Sequence, residues 1–314
     1  MNRWDGKRLG RGCVFVAVAG CLFGLGVNPA LGQVRAFDGS TDGDAGDGVT
    51  WNQALNWSGD DVPNSPSESA SIDAGGAFDV DFTGLSATID SLAIGADDKL
   101  TLGFAGFLTV NTSWVNEGEI VLEDFSQLAT QRGLTNAATG TLRGAGLSTL
   151  SYVANDGLTN FGTIAPGNTT SPGLPEAGFL NIAGDLLLGS TSKIEIEIGG
   201  GTTNVDYDQI FVAGNVGLGG ELSVTLINGF TPDASTTFSV LGGVFGAPGT
   251  GGAFTNIASG DRLFTEDGAG SFLVSYAATG AGQVELSDYQ PIPEPSTLAV
   301  SAVASVFVLR RRRR

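Results

Sequence analysis

Glu195 and Glu197 lie two apart in the stretch KIEIEI, Lys193–Ile198, with isoleucines alternating around them. On an extended strand, side chains at i and i+2 share a face, so both carboxylates project together and the isoleucines project oppositely. Paired carboxylates are the equipment of acid/base glycoside hydrolysis. The polar face of a half-buried strand produces the same alternation without any catalytic duty, and that is the reading adopted. Asp206 and Asp208 flank Tyr207 in the same manner and read as a turn entering a strand. Trp51 and Trp57 are candidate carbohydrate contacts, because a flat ring can stack on a sugar. Their competing reading is a pair of large apolar side chains sealing the open end of a repeat structure. Asp42, Asp44 and Asp47 are weak Ca²⁺ candidates, although their spacing does not fit the EF-hand pattern.

Composition narrows the chemistry further. The chain has no histidine, which removes the commonest general base and metal ligand. Its two cysteines, Cys13 and Cys21, both lie near the N-terminus. Any metal bound by the remainder must therefore be held by oxygen, which favours Ca²⁺ over zinc. From Gln33 to Gln290 there are 31 Asp and Glu against six Lys and Arg, a balance of −25. Nucleic acid and anionic lipid surfaces would repel such a body, so neither is expected as a partner.

The side chains must be positioned by the segment between two unusual ends. At the start, Arg3, Lys7, Arg8 and Arg11 precede an apolar run from Cys13 to Val27, and Ala30-Leu31-Gly32 offers small residues before Gln33. That order is a secretory signal peptide, residues 1–32. Val18-Ala19-Gly20-Cys21 is similar to a lipoprotein box, which would place a lipid on Cys21, but the apolar run continues through Leu22, Phe23 and Leu25. At the other end, Pro293-Glu294-Pro295 is followed by an uncharged run from Ser296 to Leu309 and by Arg310, Arg311, Arg312, Arg313 and Arg314. The run is short for a permanent span, and the arginines read as a cytoplasmic stop. Pro-Glu-Pro, apolar run and arginine cluster together resemble the PEP-CTERM sorting signal of Gram-negative envelope proteins, here residues 291–314. The resemblance implies a short sorting helix, transient membrane insertion and removal of the tail by an exosortase-type protease. A retained short anchor is the alternative.

Between the ends, glycine supplies 49 of 314 residues, about twice the usual share. Short alternating runs such as FDVDF (78–82) and KLTL (99–102) read as strands between glycine turns. Gly118, Gly140, Gly162 and Gly184 recur at intervals of 22, each two residues before an aliphatic: Ile120, Leu142, Ile164 and Leu186. A period of this size marks a solenoid, with one inward aliphatic per coil forming a ladder. Glycine is expected to supply positive-φ corners. Asn116, Asn136, Asn155 and Asn160 are expected beside them as structural residues tolerant of left-handed geometry. A second alignment, shifted by 30, pairs Ala183-Gly184 with Ala213-Gly214 and Leu188-Gly189 with Leu218-Gly219. The stretch from Asn160 to Leu241 resembles the passenger β-helix ends of autotransporter-like surface proteins. The expected fold is all-β, a parallel β-helix-like solenoid with glycine-rich turns. Its parts are a turn-rich cap region (33–76), solenoid coils (77–200) and a C-terminal strand region (201–290).

These features lead to the expectation of a non-catalytic exported protein of the cell surface or exopolysaccharide matrix, with no resident cofactor. Two alternatives stay open. One is a carbohydrate-binding adhesin using Trp51, Trp57 and Trp114. The other is a β-helix lyase or hydrolase, for which Lys99, Lys193 and four scattered arginines are the available cations.

Overall fold

The computed structural model describes residues 32–292, apart from 40–42, 44, 74, 146, 153–156, 168–175, 204, 246–251 and 277–279. The expected signal peptide up to residue 31, Asp42, Asp44, Asn155 and the expected sorting segment from Pro293 to Arg314 lie outside the described residues. Among the described residues, no helix is long and apolar enough to cross a membrane.

The chain opens with β1 (Gln33–Ala36), a 3₁₀ turn at Ala54–Asn56 and β2 (Glu68–Ile72). Three-stranded coils follow. The first is β3 (Asp79–Asp81), β4 (Ser86–Ile89) and β5 (Leu92–Ile94). The next two are β6 (Lys99–Leu102), β7 (Phe107–Val110), β8 (Trp114–Asn116), and β9 (Glu119–Leu122), β10 (Gln127–Thr130), β11 (Leu134–Asn136). Then come β12 (Thr141–Gly144), β13 (Leu147–Tyr152), β14 (Leu158–Asn160), and β15 (Thr163–Pro166), β16 (Phe179–Ala183), β17 (Leu186–Leu188). In the sixth coil β18 (Lys193–Ile198) is followed by one long bulged strand, β19 (Gln209–Gly217), which serves two faces. The stack ends in β20 (Glu221–Leu226) and β21 (Phe238–Phe245), and then β22 (Arg262–Phe264), β23 (Gly270–Ser275) and β24 (Gly280–Pro291).

Every coil strand pairs in parallel with its counterparts one coil away, which gives three ladders. The first face runs β3-β6-β9-β12-β15-β18-β20. The second follows β4, β7, β10, β13, β16, β19 and β21. The third follows β1, β2, β5, β8, β11, β14, β17 and β19. The protein is thus an all-β parallel solenoid, and the parallel stacking continues beyond residue 200. Its last coil is closed by antiparallel pairing of β24 with β21 on one side and β23 on the other.

The core follows from alternation. On the first face Val80, Leu100, Ile120, Leu142, Ile164, Ile194 and Leu222 stack in register, all buried. The spacings between them are 20, 20, 22, 22, 30 and 28 residues. This corrects one rung of the expected ladder. Leu186 is inward and buried, but it stands on the third face between Leu158 and Val216. The extra chain between β15 and β16 lengthens that coil, so a constant step of 22 reaches Leu186 before the first face returns at Ile194. The 30-residue alignment is real register: Leu180 faces Ile210 and Leu186 faces Val216.

Glycine supplies positive φ at Gly84, Gly157 and Gly220, but the glycines of the 22-residue repeat work by a different cause. Gly118, Gly140 and Gly162 do not have positive φ. They are needed because coils approach closely: a Cβ on Gly118 would lie 2.2 Å from the Gly95 carbonyl oxygen, and one on Gly162 2.1 Å from that of Gly140. Asn116, Asn136 and Asn160 are not left-handed either; they end strands β8, β11 and β14 and point inward. Asn116 Nδ2 donates to Asn136 Oδ1 (2.8 Å) and Asn136 Nδ2 to Asn160 Oδ1 (2.7 Å). Each amide also donates to a corner carbonyl, of Gly118, Gly140 and Gly162 respectively. The column passes hydrogen bonds from coil to coil and satisfies the amide oxygens of Asn136 and Asn160, while Asn116 Oδ1, at its outer end, is buried without a partner.

Candidate functional site

The two tryptophans belong to the N-terminal cap. Trp51 and Trp57 meet edge to face at 4.7 Å between centroids, Phe37 lies 5.0 Å from Trp57, and Phe82 lies 5.1 Å from Trp51. Trp57 Nε1 donates to the Trp51 carbonyl at 2.7 Å. Both rings are buried, so neither offers a face to a sugar. Their packing is that of large apolar side chains closing this end of the stack. Trp114 is buried as well, in the third-face ladder beside Leu134.

Asp47 is taken up by local structure. Its Oδ1 accepts from the N–H groups of Val49 (3.0 Å) and Thr50 (2.8 Å) and from Asn56 Nδ2 (2.7 Å). The Asn56 amide, then the two backbone donors, hold its carboxyl well below the usual carboxylate range. No group of three or more metal-ligating side chains forms among the described residues.

The carboxylate pair of KIEIEI lies on the outer side of the first face, in a groove of about 280 Å³ with Lys193, Ser223, Thr225 and Glu266. Lys193 Nζ donates to Glu195 Oε1 at 2.8 Å, and this contact raises the lysine pKa. Glu197 is half-buried, and burial pushes its carboxyl up against the opposing pull of Arg143. Glu266 accepts from Ser223 Oγ at 3.0 Å.

Asp208 is buried, and its two oxygens brace two different segments. Oδ1 accepts from the Gly178 N–H (2.7 Å) and Oδ2 from the Glu197 N–H (2.8 Å). Burial raises its pKa well above the usual value, outweighing those hydrogen bonds. A group whose folded pKa is raised adds stability that is fully present below its unfolded pKa, about 3.9, and is lost as pH rises through the folded value. Wild-type stability should therefore fall as pH rises above that window, and Glu197 acts in the same direction. Asp208→Ala leaves two buried N–H groups without acceptors and should cost about 3 kcal/mol at low pH. Urea titrations at pH 5 and pH 8 should show the gap between wild type and variant narrowing at the higher pH; a constant gap would refute the linkage.

Two surfaces carry rings that the sequence reading did not single out. On the second face a groove of about 490 Å³ is lined by Phe179, Gln209, Phe211, Ser239, Gly242 and Gln283, among others. Gln209 Nε2 donates to the Ser239 carbonyl (2.7 Å), and Ser239 Oγ donates to Gln283 Oε1 (2.6 Å). Among the described residues, the lining of this groove is apolar and amide- or hydroxyl-bearing, without a titratable side chain. At the corner between the first and second faces, Phe104 and Phe125 meet edge to face at 5.7 Å, both largely exposed. The sequence signal was there. GFAG (103–106) and EDFS (123–126) are equivalent turns of successive coils, and each carries a phenylalanine.

No protein-family model matches the chain and no curated protein matches it, so its surface is read from its own residues.

Proposed function

We propose that the protein is a non-catalytic structural component of the cell surface or exopolysaccharide matrix, exported through residues 1–32 and processed at Pro293-Glu294-Pro295 by an exosortase-type protease. The observation that carries this reading is the use the fold makes of its ionisable side chains. Asp208 braces two backbone segments, Asp47 closes a turn, and Glu195 is paired with Lys193. On the first face Lys99 is held by Asp79 (2.6 Å) and Arg143 by Glu119 (2.6 Å), which ties neighbouring coils together. The groove around Glu197 favours a second reading, a glycoside hydrolase, because a burial-raised carboxyl beside an ion-paired one has the character of an acid/base pair.

Two measurements test the proposal. The exported protein should have an intact mass below that of residues 33–314; a mass that retains Arg310 to Arg314 would overturn the sorting reading in favour of a plain anchor. Incubation with a panel of neutral and acidic polysaccharides should release no new reducing ends or unsaturated products. Turnover that disappears in Glu197→Gln would replace the structural reading with the hydrolase.

A further inference from the structure

Phe104 and Phe125 are 59% and 55% exposed, so neither ring is placed there by burial. Phe125 also sits at φ +59°, a left-handed conformation that a bulky L-residue rarely adopts. Its counterpart one coil earlier, Ala105, shares that conformation at φ +57°. The turn therefore demands a left-handed residue at this position, and glycine or asparagine would fill it with less strain. A phenylalanine held in that geometry, with most of its ring in water, is not explained by stability of the fold.

The turns that carry the rings adjoin a groove of about 380 Å³ on the first face, lined by Val49, Asp79, Asp81, Thr83, Lys99, Thr101 and Glu123. Chain geometry joins the two. Glu123 begins the turn that carries Phe125, whose closing Ser126 N–H donates to the Glu123 carbonyl at 3.0 Å. Thr83 packs on Gly103, the residue before Phe104, so closely that a Cβ there would lie 1.8 Å from Thr83 Oγ1. The Gly84 N–H donates to the Phe104 carbonyl at 3.0 Å.

We propose that this corner, the Phe104–Phe125 pair together with the adjoining groove, binds a linear glycan of amino sugars carrying free ammonium groups. The exposed ring faces carry the negative side of the aromatic quadrupole and suit the slightly positive C–H face of a pyranose. Thr101 places a hydroxyl in the groove lining, and Thr83, whose own hydroxyl donates to Asp81 Oδ1 at 2.5 Å, adds an acceptor. Charge selects among sugars. The groove presents three carboxylates against one ammonium, that of Lys99, which is already paired with Asp79 at 2.6 Å. Ammonium groups complement that excess, whereas a uronate would meet it and the −25 balance of the body. The proposal stands on these residues and is independent of how the C-terminal segment is processed.

Isothermal titration of the purified full chain with a glucosamine hexasaccharide, an N-acetylglucosamine hexasaccharide and an oligogalacturonate tests it. The glucosamine oligomer should bind, and its affinity should fall as NaCl is raised. The acetylated oligomer should bind about tenfold more weakly or less, and the uronate should not bind. Phe104→Ala and Phe125→Asn should each lower affinity by about tenfold, while Phe211→Ala in the other groove should leave it unchanged. Phe125→Asn should at the same time raise Tm by about 2–4 °C, because asparagine accepts the left-handed turn; that separates lost binding from lost folding. Unchanged affinity in Phe125→Asn, equal binding of the acetylated oligomer, or no binding of the glucosamine oligomer would each overturn the proposal.

Discussion

Leu142→Asp should unfold the middle of the stack. Leu142 lies in register between Ile120 and Ile164 and is buried, so a carboxylate there has only aliphatic neighbours above and below. An unpaired buried charge of this kind costs about 4 kcal/mol, a large part of the stability of an ordinary domain. Thr141→Asp, one residue earlier on the outer side, should cost about 1 kcal/mol. Solvent reaches that position, and the main penalty is like-charge contact with Glu119, its neighbour in register. Urea midpoints followed by circular dichroism would compare the two directly. Equal losses would mean that the inward face has been misassigned.

The asparagine column should show the opposite of additivity. Asn136 is its centre, accepting from Asn116 and donating to Asn160. Asn136→Ala should cost about 3 kcal/mol, because it strips partners from two buried amides at once. Replacing Asn116, Asn136 and Asn160 together by leucine should cost less than that single change. The stack already accepts aliphatic side chains at the same register position: Ile94 lies beside Asn116, and Leu188 beside Asn160. The corner carbonyls would keep their backbone donors, since the N–H groups of Thr141, Thr163 and Lys193 donate to Gly118, Gly140 and Gly162. Denaturant titration of the single and triple variants decides it. A triple loss near three times the single one would show that the amides act separately.

The contrast between these two columns explains what the sequence made legible. Ile120, Leu142 and Ile164 could be found because their coils are equal in length and an alternating strand reveals its own inward side. Ile194 could not, because the longer coil that contains it hid behind a chance repeat of glycine and leucine at Gly184 and Leu186. The asparagines stood out as corner neighbours, yet their spacings of 20 and 24 residues gave no sign that the amides touch. Trp51 and Trp57 were legible as large rings near one end, while their burial depends on Phe37, Phe78 and Phe82 converging from distant positions. Phe104 and Phe125 escaped notice for a related reason. A ring in a turn looks unremarkable until the register shows two equivalent turns presenting their rings to each other.

The closing strand β24 also determines how the molecule would carry a pull. Its first half is bonded to β21 and its second half to β23, and the Ile292 N–H extends the hold by donating to the Ala269 carbonyl at 2.9 Å. Tension applied beyond Ile292 along the strand would load both ladders in shear, so many hydrogen bonds would have to yield together. The same tension applied across the strand would peel it open one pair at a time, beginning where Pro291 meets Gly270. Because β21 lies directly on β19, a force that β24 withstands passes into the parallel stack and is shared among the coils. The direction of a tether, more than its strength, would decide whether this end of the solenoid holds.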